Sequence, residues 1–316
     1  AYSAPRGGGV AVKTTIVYEV FHPISWGFEI AADFFLVGLA VGAFLLSAGI
    51  KLYYGPNRVL PEEYRKICRI GSYIALVGLV LGSTFLIGHL GRPERFFILF
   101  YRFQVTSVLA WGAWIKLGFT IFALWYALLW WRDRPGEARQ RLVVGVVGSF
   151  FAISLGMYHG ILRTVLKASA LWNAGPTTVA SILGFVLTGI AAVTLVIALR
   201  RRGDVALKAI LAVRWIFGLA IIAQLFTVLL WLFTLYAGPH DAKAAAQVLM
   251  DRFPLLLWGG AIGLGLILPL ALGLYAIVHE RKDPRLNVAI PAVAAALVLV
   301  GGFILRYVIV VAGQLS

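Results

Sequence analysis

Eight long apolar runs constrain this chain more than any other feature of its sequence. They cover residues 26–50, 67–89, 106–131, 142–163, 178–199, 209–236, 254–279 and 287–313. Each run can cross about 30 Å of hydrocarbon as an α-helix, which rises about 1.5 Å per residue. The runs lack the alternation of barrel strands and are much longer than the roughly ten residues such a strand needs. The sequence therefore predicts an all-α integral membrane protein with eight transmembrane helices.

The composition excludes a water-soluble domain of this length. Hydrophobic residues make up 61% of the chain, charged residues only 13%, and the mean hydropathy is +0.91. The runs are apolar on every face, as lipid-facing helices are. We expect one membrane domain over residues 1–316, with an N-terminal segment at 1–25, four helices in 26–163 and four in 178–313. Pro269 lies inside the seventh run and predicts a kink there.

The distribution of lysine and arginine predicts the orientation. Basic residues are concentrated in the loops on one side, at 51–69, 132–141, 200–214 and 281–285. Because basic loops stay in the cytoplasm, both termini are predicted to be extracytoplasmic, in a multi-pass protein of the plasma membrane. The net charge of +15 then reflects topology and contact with anionic membrane lipid, and we expect no nucleic-acid partner.

The longer connections all fall on the predicted extracytoplasmic side. They cover residues 90–105, 164–177 and 237–253. Long connections on one face suggest a docking surface for another protein, although solvated loops would have the same pattern.

A few ionisable side chains interrupt the apolar runs. Glu29, Asp33, Lys116, His159 and Arg306 lie inside them. An ionisable group in hydrocarbon costs on the order of 3 kcal/mol, so its presence favours a function. Counted from the outer ends at 1.5 Å per residue, these groups lie about 5 to 15 Å deep. We therefore expect them to converge near the extracytoplasmic surface, together with Tyr158 and with His89 at the exit of the second run.

Structural explanations remain open for several of these residues. Lys116 can extend its amine toward the surface, and Tyr158 can belong to an interfacial aromatic belt. Arg306 and Asp33 can form a structural ion pair. Gly38 and Gly42 have the GxxxG spacing that permits a neighbouring helix to pack closely.

A ring of acidic, imidazole, phenolic and guanidinium groups at this depth suits a quinone. The head group of a quinone needs hydrogen-bond donors and a group that exchanges protons, while its tail lies among apolar helices. Glu29, Asp33 and His89 are the predicted proton-exchanging residues. The predicted head-group ligands are Tyr158, His159, Arg306 and Lys116.

Two other functional classes remain open. His89 and His159 lie near one surface, which leaves a haem b anchor possible. A passive anchor or transporter is the other alternative, although few ionisable groups lie in the inner half. The single cysteine, Cys68, excludes an internal disulfide and a cysteine-ligated iron–sulfur cluster or zinc site built from this chain alone, and we expect no metal site.

Four stretches of the sequence resemble one family. They are "FFLVGLAVGAFLL" (34–46), "LIGHLGRPERFF" (86–97), "GMYHGILRTVLKASALWNAGPTTVASILGFVLTG" (156–189) and "GGFILRYVIVVAGQ" (301–314). The second is similar to the "LxDLGRPxRF" segment of the NrfD/PsrC family, and the third to its Tyr-x-Gly helix and Trp-Asn loop. This family comprises membrane subunits of polysulfide reductase-like molybdoenzyme complexes.

The resemblance implies two four-helix bundles, no haem, and a site for menaquinone or ubiquinone. It implies that this site faces a four-cluster ferredoxin-like iron–sulfur subunit, which contacts a molybdenum or tungsten catalytic subunit. The protein would then catalyse the quinone half-reaction of a respiratory oxidoreductase. The family's pocket residues correspond to Glu29 or Asp33 and to Tyr158. His89 stands where the family usually has Asp, so only a polar role is implied there.

Overall fold

The computed structural model describes residues 26–56, 58–89, 93–165, 169–172, 175–200, 204–279 and 286–315. These residues include eight helices that are long and apolar enough to cross a membrane, as the sequence predicted. The N-terminal segment 1–25 lies outside the described residues, as do parts of the connections at 90–105 and 164–177.

The eight membrane-length helices follow the eight apolar runs. Their bounds are α1 Phe28–Tyr54, α2 Glu62–His89, α3 Val108–Arg132, α4 Ala138–Val165, α5 Gly175–Leu199, α6 Asp204–Ala237, α7 with its two segments Leu255–Ile267 and Leu268–His279, and α8 Leu286–Leu315. Two short helices, Ile98–Tyr101 and His240–Arg252, lie in the connections before α3 and α7. The second of these is rich in alanine, the strongest helix former, within a stretch that we expected to be a loop.

Several helices begin earlier than their apolar runs. α2 starts at Glu62 instead of residue 67, and α6 starts at Asp204 instead of residue 209. Hydropathy marks only the part of a helix that lies in hydrocarbon, whereas a helix can continue into the polar interface. An acidic residue in the first turn, such as Glu62, also stabilises the start of a helix because it interacts favourably with the positive end of the helix dipole.

The helices pack as two rings of four. α1 contacts α2 and α4, while α3 contacts α2 and α4. In the second ring, α5 contacts α6 and α8, while α7 contacts α6 and α8. The rings meet mainly where α1 packs against α5, with α4 on α5 and α1 on α8 adding further contacts.

Glycines permit the close approach of α1 and α5. A Cβ atom added at Gly42 would collide with the carbonyl group of Phe185, and one at Gly189 would collide with the backbone of Gly42. A Cβ atom at Gly38 would enter the ring of Phe185. The GxxxG spacing therefore marks the central contact between the two rings, as its small residues predicted.

The first half of α7 is a π-helix. It covers Leu255–Ile267, and Leu268 N–H donates to the carbonyl of Gly263, five residues earlier. Pro269, where the sequence predicts a kink, lies in the α-helical segment that follows, Leu268–His279. Within the π-helix, Gly265 packs against Gly301 of α8 so closely that a Cβ atom on either would strike the other's backbone.

Hydrogen bonds join the start of α1 to the end of α8. Trp26 N–H donates to Gln314 Oε1 over 2.8 Å, and Gln314 Nε2 donates to the Trp26 carbonyl over 2.8 Å. Nearby, Trp172 Nε1 donates to the Ile309 carbonyl over 2.9 Å, and its ring lies 5.7 Å from that of Trp26. These bonds fix the two helix ends to each other.

Candidate functional site

Asp33 is the centre of a buried polar cluster within the first ring. Only 2% of its surface is exposed, and its Oδ1 accepts a hydrogen bond from Lys116 Nζ of α3 over 2.9 Å. The ion pair considered for Asp33 and Arg306 does not form, because Arg306 binds other groups. The long, flexible lysine stem allows an amine attached at a deeper position to reach the carboxylate.

His159 of α4 faces the other oxygen of this carboxylate. Its Nε2 lies 4.0 Å from Asp33 Oδ2, while its Nδ1 lies 2.7 Å from the Leu155 carbonyl. A carbonyl can only accept, so we assign the ring proton to Nδ1. In the neutral ring Nε2 is then an acceptor, and it faces the carboxylate oxygen across 4.0 Å, which is longer than a hydrogen bond.

Tyr158 completes this cluster from α4. Its ring lies against Gly112 of α3, where a Cβ atom would overlap the phenol, and its ring centroid is 5.6 Å from that of His159. The phenol also lies within electrostatic range of Asp33. Asp33, Lys116, Tyr158 and His159, called the Asp33 cluster below, are therefore brought together from three helices.

The structure places the other predicted residues apart from this cluster. Glu29 is exposed in the first turn of α1, and His89 is partly exposed at the last residue of α2. Arg306 is buried, but it lines a neighbouring cavity in the second ring. The structure thus groups four of the seven predicted side chains.

The neighbouring cavity has two buried arginines. Its volume is about 40 Å³, which has room for water molecules. Arg306 donates to the carbonyl of Gly302 over 2.8 Å and to Thr188 Oγ1 over 3.3 Å. Arg163 of α4 donates to the His159 carbonyl over 3.1 Å and to Ser181. Among the described residues, neither arginine has a carboxylate within 4 Å, so this cavity is electropositive.

Two aromatic rings connect the Asp33 cluster to this cavity. The Phe34 ring lies 4.8 Å from the His159 ring and 5.8 Å from the Arg163 guanidinium. The Phe185 ring lies 5.7 Å from His159 and 5.0 Å from Arg306. Each phenylalanine therefore contacts His159 and one of the two arginines. The favourable cation–π geometry helps to hold the arginines in an apolar setting.

Sequence reasoning missed Arg163. It is the last residue of the predicted fourth run, 142–163, where an arginine is expected to reach the surface, yet only 4% of it is exposed. Its spacing of four residues from His159 places both on one helix face, which is the signal that would have identified it. Within the described residues, no group of three metal-ligating side chains occurs.

Both ring nitrogens of His159 face oxygen atoms. Nδ1 lies next to the Leu155 carbonyl, and Nε2 lies 4.0 Å from Asp33 Oδ2. The structure places His89, the other histidine considered for a haem, at the last residue of α2 and outside the Asp33 cluster.

The sequence matches the model of a known family. The model of the family described as "Polysulphide reductase, NrfD" matches residues 17–316, which is nearly the whole chain. The chain belongs to the NrfD family. It is therefore a multi-pass membrane protein of this family, as the four sequence stretches indicated.

Individual relatives in the NrfD family align over most of their length. Protein NrfD of Escherichia coli strain K12 is 26% identical, and the alignment covers 94% of this chain and 97% of that protein. A polysulfide reductase chain of Wolinella succinogenes is 27% identical, with 94% and 96% covered. A selenate reductase subunit of Mesobacillus selenatarsenatis is 23% identical, with 91% and 73% covered. Two of these relatives are thus named as components of reductases.

Proposed function

We propose that this chain is the quinone-reactive membrane subunit of a respiratory reductase complex. The observation that carries the proposal is the buried Asp33 carboxylate, which lies between the Lys116 amine and His159 Nε2. An ionisable group buried in the membrane is costly and marks a functional site by default. The names of the polysulfide and selenate reductase relatives support a place in such a complex.

The residues present fit a quinone. When bound, menaquinone or ubiquinone supplies two-electron chemistry in which two protons are taken up on reduction and released on oxidation. Tyr158 and Lys116 offer hydrogen-bond donors, which the carbonyl oxygens of a quinone head group need. Exposed apolar side chains on the outer faces of the helices suit an isoprenoid tail.

The Asp33 cluster handles protons in this proposal. Lys116 donates to Asp33 Oδ1 over 2.9 Å, and His159 Nε2 presents a second acceptor 4.0 Å from Oδ2. A proton released nearby is accepted by the carboxylate or by Nε2, while the Leu155 carbonyl holds the ring in place through Nδ1. Arg163 holds the main chain of the same turn by donating to the His159 carbonyl.

The proposed electron partner is an extracytoplasmic iron–sulfur subunit next to a molybdenum or tungsten subunit. The connection before α3 supports this, because it exposes a group of aromatic and basic side chains. Phe97 is 62% exposed, Tyr101 is 85% exposed, and Arg95 and Arg102 are exposed beside them. Aromatic residues and arginine are enriched in the cores of protein interfaces.

The decisive experiment compares quinol-driven and quinol-independent activity of the complex purified from its host. Asp33→Asn is expected to reduce quinol-dependent turnover at least about 100-fold, as loss of a proton-transfer residue does. Activity with an artificial soluble electron donor should persist, because that donor bypasses the membrane subunit. Asp241→Asn, which changes an exposed carboxylate outside the cluster, is the matched control.

A second experiment tests the docking surface. Tyr101→Ala should weaken co-purification of the partner subunits, because it removes a large exposed aromatic side chain from the proposed interface. Phe226→Ala removes a similarly exposed ring from the outer surface of α6 and should leave the complex intact. Unchanged quinol activity in Asp33→Asn would overturn the proposed site, and unchanged assembly in Tyr101→Ala would overturn the proposed interface.

A further inference from the structure

A second polar cavity lies at the opposite end of the first ring. It is formed where α1 ends, α2 begins and α3 turns into α4, and its volume is about 450 Å³. This volume falls within the roughly 300 to 1,000 Å³ of small-molecule sites. Its polar lining consists of one carboxylate, Asp133, and five basic side chains, which are Lys51, Arg58, Arg65, Arg139 and Arg141. We call this the basic pocket.

The charges of the basic pocket are not balanced by the protein. Asp133 pairs with Arg65, and its Oδ1 lies 3.0 Å from Arg141 Nη1. Within the described residues, Lys51, Arg58 and Arg139 have no carboxylate within 4 Å. Five cations around one anion repel one another, so the basic pocket has a strong preference for an additional anion.

Two of these cations are built into the fold. Lys51 is only 1% exposed, and its Nζ donates to the Gly55 carbonyl over 2.8 Å, which uses one of its three N–H bonds. Arg141 is 7% exposed, donates to the Arg134 carbonyl and lies over the Trp130 ring. Its Nε has no hydrogen-bond partner among the described residues. Arg141 shares the Asp133 carboxylate with Arg65, and Lys51 has no acidic partner within 4 Å in the described part of the chain, so the burial of these two charges favours a bound counter-ion.

The depth of the pocket identifies the source of that anion. Tyr53 and Trp131, at the adjacent ends of α1 and α3, are 84% and 67% exposed. Exposed tyrosine and tryptophan at helix ends mark the boundary between hydrocarbon and lipid head groups. The basic pocket therefore lies at the height of the phosphates of the membrane, and apolar residues such as Val59 and Leu60 form part of its wall.

We propose that the basic pocket binds the phosphate group of an anionic phospholipid. Arg58 and Arg139 are exposed at its mouth and would contact the phosphate first, while Lys51 and Arg141 supply positive charge from the interior. Basic pockets between transmembrane helices are a recognised setting for anionic lipid head groups. The site is distinct from the Asp33 cluster, which lies at the other end of the same helices.

The test measures lipid binding to the full-length protein purified in a neutral detergent. Phosphatidylglycerol, phosphatidylcholine and inorganic phosphate are each titrated while thermal unfolding is recorded. Phosphatidylglycerol alone should give a saturable rise in the unfolding temperature. The double variant Arg58→Gln, Arg139→Gln should need about 30-fold more of this lipid, because each basic residue near a lipid surface contributes about fivefold.

Arg132→Gln is the matched control, since Arg132 is an exposed arginine at the same end that does not line the pocket. It should bind phosphatidylglycerol as the natural sequence does. Equal binding by the double variant would overturn the proposal. So would an equal response to phosphatidylcholine or to inorganic phosphate, because the ligand would then not be an anionic lipid. Unfolding in the absence of added lipid confirms that each variant is folded.

Discussion

Replacing Lys116 by methionine should destabilise the protein more than replacing Asp33 by asparagine. Methionine preserves the length of the side chain but leaves the Asp33 carboxylate, which is 3% exposed, without its charged partner. Removing one member of a buried ion pair costs about 3 kcal/mol, since an uncompensated charge remains. Asp33→Asn should cost only about 1.5 kcal/mol, because the Lys116 side chain is 13% exposed and its amine can turn toward water.

The double variant provides the quantitative check. With both charges removed, no buried ion remains, so the loss should be about 2 kcal/mol and much smaller than the two single losses together. This corresponds to a coupling of about 2.5 kcal/mol between the two residues. The free energy of unfolding is measured by titration with sodium dodecyl sulfate in mixed micelles. Lys208→Met, which removes an exposed lysine from α6, is the control and should be nearly neutral.

Two results would refute this reasoning. If the single losses add up in the double variant, the 2.9 Å contact between Lys116 and Asp33 carries no interaction energy. If Asp33→Asn is the more damaging single change, the carboxylate is stabilised by groups other than Lys116.

Three further predictions concern packing and the site. Gly265→Ala should destabilise the protein by about 1 to 3 kcal/mol in the same assay, because its methyl group collides with α8. Gly273→Ala, later in α7 and with open space where its Cβ atom would lie, should not, and an equal loss in both would refute the close contact. Trp172→Phe removes a buried hydrogen bond to α8 and should lower the free energy of unfolding by about 1 to 2 kcal/mol. Unchanged stability in this variant would show that the bond does not help to hold the helix ends together. Gly112→Ala should displace the Tyr158 ring and lower quinol-dependent turnover while the partners still co-purify, and normal turnover would exclude a role for that ring position.

The sequence predicted the number and order of the helices because lipid demands long apolar runs with internally satisfied backbones. It did not predict where each helix would leave the hydrocarbon, as the early starts of α2 and α6 show. It also gave no signal for the π-helix Leu255–Ile267, within which Gly265 packs closely against Gly301 of α8.

The depth of the site was predictable, but the pairing of its residues was not. Counting residues from the helix ends placed Asp33, His159 and Arg306 near one level. Which of them meet depends on the rotation of each helix about its axis, and a helix that is apolar on all sides leaves that rotation undetermined by sequence. This is why Lys116 rather than Arg306 is the partner of Asp33, and why the burial of Arg163 was missed.

The two hydrogen bonds between Trp26 and Gln314 can form only late in biogenesis. Trp26 is synthesised long before its partner, yet its main-chain N–H and carbonyl are both satisfied by a side chain 288 positions later. Until α8 has left the ribosome, the N–H and carbonyl groups of Trp26 lack these partners. A molecule interrupted before Gln314 cannot form the two hydrogen bonds. The hydrogen bonds that join the start of α1 to α8 therefore form only after both helices have been synthesised.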